Sequence, residues 1–262
     1  MRETCVHAGT GCELAARDMM LWRRQRCPVS DRVRRWVDDQ FTWLIGQFGN
    51  RFLQTPVVVP TAAFFPGEYS GTPEDIDGLV SRMCIHVGVN ARDVVVDIFE
   101  TPQERARRDL PFLSGSGVSV AGDWRQEDGK TRIGLDRAQL RFPRAVVAVI
   151  AHELAHQRLL GEQRVEPTRR DGEQLTDLTT VFFGLGIFTA NAALEFAARH
   201  SGGWSATKLG YLDERMFGYA LARYATARNE PEPSWAEYLD LNPRTYMRHG
   251  IGFLQRQQDP DH

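Results

Sequence analysis

The segment AHELAHQRLLGE, residues 151–162, sets Glu153 between two histidines, His152 and His156. On a helix, residues four apart share a face, so both imidazoles can reach one metal ion. Glu153 is rotated by about 100° from His152. It lies beside such an ion without ligating it, where a carboxylate can accept the proton of a metal-bound water. Two histidines do not close a catalytic zinc site, which usually has three protein ligands and a water. The extended pattern H-E-x-x-H-x-x-G-x-x-H fails here. Leu159 stands at its glycine and Glu162 at its third histidine.

A third ligand is offered downstream, in DGEQLTDLTTVFFG. Glu173 and Asp177 are four apart and share a helix face if the segment is helical. Glu173 is the candidate ligand, with Glu162, Glu166 and Asp171 as rivals. Asp177 is placed to accept the other ring N–H of a ligating histidine, which orients the ring and raises its basicity. The plainer reading of both acids is favourable charge near a helix N-terminus. An acyl-transfer site also needs a donor for the oxyanion; His200, Tyr211, Arg215 and Tyr219 are the candidates. His7, His86, His249 and His262 have no partners in a recognisable pattern.

His152-Glu153-x-x-His156 followed by Glu173-x-x-Thr176-Asp177 resembles the gluzincin metallopeptidases, the group that includes thermolysin. The resemblance covers about residues 145–190. It implies His152, His156 and Glu173 as zinc ligands, Glu153 as the base and Asp177 as support for a histidine. Thr176 stands where the pattern usually has Ser or Ala. Over most of the chain beyond residue 20, HELAH, LTDLTTVFFGLGIFTANA and FGYALA look like a group of uncharacterised bacterial soluble proteins, which supplies no substrate. The expectation is a Zn2+-dependent endopeptidase acting on a peptide or protein. The alternative is a zinc-binding regulatory or interaction protein without turnover. In gluzincins a sheet edge beside the active helix takes up the substrate as an added strand, and KTRIGLDR, 130–137, is the candidate here.

The elements that must position these residues follow from pattern. Ser30 and Asp31 start a helix, DRVRRWVDDQFTWLIGQFG, with Val33, Trp36, Val37, Leu44 and Phe48 on its apolar side. Thr72-Pro73-Glu74-Asp75 starts another, running to about Val87. Strands are expected at 93–100, 117–124 and 130–137, the last two joined by a turn at Asp128-Gly129. The active-site helix then runs to Gly161, and a long helical stretch follows from about Gly172 to His200. Gly184 and Gly186 are expected to let another helix come close. The rest is helical, 211–227 and 235–254, with proline breaks. This order predicts an α+β, zincin-like fold with a small mixed sheet and a helical C-terminal half. Residues 1–18 are expected to be a disordered tail. Residues 19–262 form one domain: an α/β part to 161 and a helical part, 162–262, that supplies the third ligand.

Composition narrows the partners. The net charge of -2 gives no electrostatic case for nucleic acid or a membrane surface. PFLSGSG, 111–117, lacks the Gly-Lys-Ser/Thr of a phosphate cradle and reads as a loop. Cys5, Cys12, Cys27 and Cys84 show no C-x-x-C spacing, and no apolar leader opens the chain, so a reducing cytoplasm is expected. The uncharged run 178–194 is short for a membrane span and is expected to be a buried helix. The sequence sets no oligomeric state.

Overall fold

The computed structural model describes residues 26–100, 122–200 and 211–258, with backbone alone for 194–200. The expected tail, the PFLSGSG loop, the start of the strand expected at 117, and the side chain of His200 lie outside the described residues.

Helix α1, Asp31–Phe48, begins where Ser30 accepts a hydrogen bond from the Val33 N–H. Its inner face buries Val37, Phe41 and Leu44. The short α2, Arg51–Gln54, brings Phe52 into the same core. Phe52 and Phe183 lie 4.5 Å apart between ring centroids, and Phe41 meets Phe182 edge-on at 5.5 Å. Each such side chain contributes roughly 1.5–3 kcal/mol by leaving water. Helix α3, Pro73–Val87, opens with a reciprocal cap: Thr72 accepts from the Asp75 N–H and Asp75 accepts from the Thr72 N–H.

The sheet holds β1, Val94–Phe99, β2, Gly122–Glu127, and β3, Lys130–Asp136. Asp128 and Gly129 both have positive φ, 52° and 74°, the geometry a two-residue hairpin turn demands. β3 is the central strand. It runs parallel to β1, with Val94 opposite Thr131, and antiparallel to β2, with Gly122 opposite Leu135. KTRIGLDR is therefore not an edge, because both of its sides are already hydrogen-bonded. Its residues are mostly buried, Ile133 and Leu135 almost completely. Among the described residues, the open edge on this side is that of β2.

Helix α4, Pro143–His156, packs against β2 and β3 on one side and α3, α5 and α6 on others. A helix enclosed in this way is apolar all round, and α4 buries Val146 through Ala151 without a polar residue. The expected helix to Gly161 is divided: after His156 the backbone turns with π-helical bonds from Gln157 to Gly161. The long helix expected from 172 to 200 is likewise two, α5, Gly172–Phe182, and α6, Gly186–His200. Gly184 separates them at φ 78°, and its carbonyl accepts from the Val58 N–H at 3.0 Å. Gly186 does allow close approach: a Cβ there would stand 3.1 Å from Leu221. Helices α7, Glu214–Ala227, and α8, Leu241–Gln258, complete an α+β architecture with a helical C-terminal half. No helix among the described residues is long and apolar enough to cross a membrane.

Candidate metal centre

The last turns of α4 carry its polar residues into a cleft between β2 and the start of α5. His152 and His156 stand on one face, with ring centroids 4.7 Å apart. Glu173, in the first turn of α5, faces both. Its Oε2 lies 3.1 Å from His152 Nε2 and 3.4 Å from His156 Nε2. All three donor atoms fall within 4.8 Å of one another. Bonds of about 2.0–2.1 Å at tetrahedral angles put zinc ligands about 3.3 Å apart, and both oxygen–nitrogen separations match that spacing.

Two of the three rival acids are engaged elsewhere. Glu162 is ion-paired with Arg158 and Arg164. Asp171 holds Arg169 at 2.6 Å and the Trp36 indole N–H at 2.7 Å. Glu166 is exposed and outside the cluster. Asp177 lies one turn beyond Glu173 and is buried, 5% exposed. Its Oδ1 meets His152 Nδ1 at 2.9 Å, and its Oδ2 accepts from the Leu212 N–H at 3.0 Å. The carboxylate thus holds a ring on α4 and the chain that leads into α7.

The electrostatics follow from this packing. Burial alone lowers the pKa of His152, but hydrogen bonds to Asp177 and Glu173 outweigh it and raise the value well above the ordinary 6.5. Burial opposes ionisation of Glu173, yet the two imidazoles hold it well below the usual carboxylate range. Glu153 is 6% exposed, and burial raises its pKa against the pull of the histidines. A proton acceptor shifted upward in this way is better matched to work near neutral pH.

The cleft has a volume of about 260 Å³. Besides the ligand set and Glu153, it is lined by Asp123, Trp124, Leu160 and Tyr211. Larger cavities of about 500 and 600 Å³ lie near Pro143 and Arg144, at the other end of α4, and contain none of these groups. Of the three oxyanion candidates whose side chains are described, Tyr211 lines the cleft, its ring 5.5 Å from that of His152. Burial and the surrounding acids push its phenol pKa upward, so it stays protonated. Tyr219 instead hydrogen-bonds Asp38 at 3.1 Å, and the Arg215 guanidinium stacks over Tyr246. His86 is structural as well, 2.7 Å from the Phe183 carbonyl. Trp124 and Asp123 went unnoticed in sequence, since nothing local ties them to a site that only the tertiary fold assembles. Trp124 packs its indole 6.1 Å from the His156 ring.

Comparison with protein-family models, curated proteins and solved structures finds no match to this chain.

Proposed function

We propose that this chain is a zinc-dependent peptidase on a zincin-like scaffold, with His152, His156 and Glu173 as ligands. The observation that carries this reading is the convergence of the three donors in one cleft beside a buried, upward-shifted Glu153. Zinc bound there would lower the pKa of a coordinated water to about 7 and polarise a carbonyl. Glu153 accepts the proton from the attacking water and returns it to the leaving amine. Tyr211, kept protonated, donates a hydrogen bond to the oxygen that gains charge. Asp177 holds His152 in orientation.

The substrate in this reading is a peptide in extended form. Its backbone pairs with the outer edge of β2, where Asp123 and Trp124 face the cleft. This replaces β3, which has no open side.

Glu153→Gln and Glu173→Ala separate the roles. The Gln variant should keep its zinc and lose hydrolysis of a mixed peptide library, since an amide cannot take the proton. The Ala variant should lose zinc. Equal zinc loss in both would show the roles to be wrong. Full zinc occupancy of the wild type with no hydrolysis of any peptide would leave a zinc-holding scaffold without turnover.

A further inference from the structure

We infer that Thr176 is a positioning residue of this centre: its hydroxyl fixes His156 as the Nδ1–H tautomer and so presents a bare Nε2 to the metal. The inference rests on the metal reading above. Thr176 is 1% exposed, on the face of α5 that meets α4. Its Oγ1 lies 2.9 Å from the Gly172 carbonyl oxygen and 3.3 Å from His156 Nδ1. A carbonyl oxygen only accepts, and a hydroxyl has one hydrogen. That hydrogen is committed to Gly172, one turn back along the helix. Towards His156 the hydroxyl can therefore offer only lone pairs, so Nδ1 must carry the proton. In a neutral imidazole with Nδ1–H, the free lone pair sits on Nε2, the atom that faces Glu173.

His152 arrives at the same tautomer once its ring gives up one of its two protons, by another route. The Asp177 carboxylate accepts from its Nδ1, leaving Nε2 towards Glu173. Adjacent residues of α5 thus set both rings alike, one by a hydroxyl and one by a carboxylate. The threonine that departs from the resembled pattern supplies what an alanine there cannot. Trp124 lies beside the same His156 ring, 6.1 Å between centroids.

The test uses the full chain and two readouts besides activity. Nitrogen-15 shifts of His156 in metal-free protein at alkaline pH report the tautomer directly. Competition with a chromogenic chelator gives zinc affinity. The wild type should show Nδ1–H at His156. Thr176→Val, close in shape, should mix the tautomers and weaken zinc binding about 10-fold or more. Thr176→Ser should keep both properties, and Thr176→Ala serves as a second hydroxyl-free variant if the valine packs badly. A wild-type His156 with Nε2–H overturns the inference, whatever the variants do. So does a valine variant with wild-type tautomer and affinity, or a serine variant that loses as much as valine. Loss of the peptidase reading alone would appear as zinc binding and a correct tautomer without hydrolysis.

Discussion

At the scale of residues, Asp177 is the side chain whose replacement now has a sharper outcome than its spacing foretold. Its two oxygens each face an N–H, one from His152 and one from Leu212. An asparagine has one acceptor oxygen, so in either flip its NH2 faces a donor. Asp177→Asn should weaken zinc binding by about 10- to 100-fold. It should also destabilise the metal-free protein by about 1–3 kcal/mol, because a buried donor is left unpaired. Chelator competition and urea unfolding on the same variant check both numbers; an unchanged pair of values would remove Asp177 from the centre. The raised pKa of His152 sets a pH dependence with two opposite slopes. A histidine that ligates zinc must be neutral, so in the proposed site protons would compete with zinc below that raised value, and affinity should fall as the pH drops from a point above 6.5. In the metal-free protein the protonated ring is the stabilised form. Its contribution is full below about 6.5, the unfolded value, and is lost as pH rises through the raised folded value. Urea unfolding and zinc titration across neutral pH should therefore move in opposite directions. That His152 and His156 share a face was legible in sequence because helical spacing of four is a local rule. Trp124 and Tyr211 come to the same cleft on other elements, and Thr176 meets His156 across two helices; no local rule reports those contacts.

At the scale of elements, helix starts were readable and interruptions were not. Ser30 and Thr72 cap through side chains three residues from their partners, a signal contained in a few letters. The break between α5 and α6 has no such signal: the run LTTVFFGLGIFTANAAL stays uncharged throughout, with only glycines at the break. What stops the helix is Gly184 in a left-handed turn, held by Val58 from a distant part of the chain. Gly184→Ala should cost about 1–2 kcal/mol from backbone conformation alone. The added Cβ would also lie 2.9 Å from the Tyr224 hydroxyl. Thermal and urea unfolding check it, and a variant as stable as wild type would mean that the turn tolerates a Cβ. Strand order was hidden for a similar reason. Alternation marks a strand but not its neighbours, so β3 read as well for an edge as for a centre. Its near-complete burial is a property of the assembled sheet.

At the scale of the whole molecule, one contiguous core joins the sheet to the helical half, and the candidate centre sits where the two meet. His152 and His156 on α4 and Glu173 on α5 come from opposite sides of that junction. Thr131 of β3 adds a tie: its hydroxyl donates at 2.6 Å to the side-chain oxygen of Gln157, the residue after His156. The parallel pairing of β1 with β3 has a consequence in time. Val94 must find Thr131 across a long stretch of chain, and closing so large a loop costs entropy before any contact repays it. The α7–α8 pair, in which Ala222 lies against Gly250, needs only a short connection. The helical pair should therefore form early and β1 should dock late. Val96→Ala should speed unfolding and leave refolding nearly unchanged, whereas Ala222→Gly should slow refolding. Stopped-flow rates that show the reverse would make the sheet the nucleus. With β1 docking last, one side of β3 stays unpaired until the end of folding, while the hairpin to β2, the strand that lines the cleft, needs only the turn at Asp128-Gly129 to close.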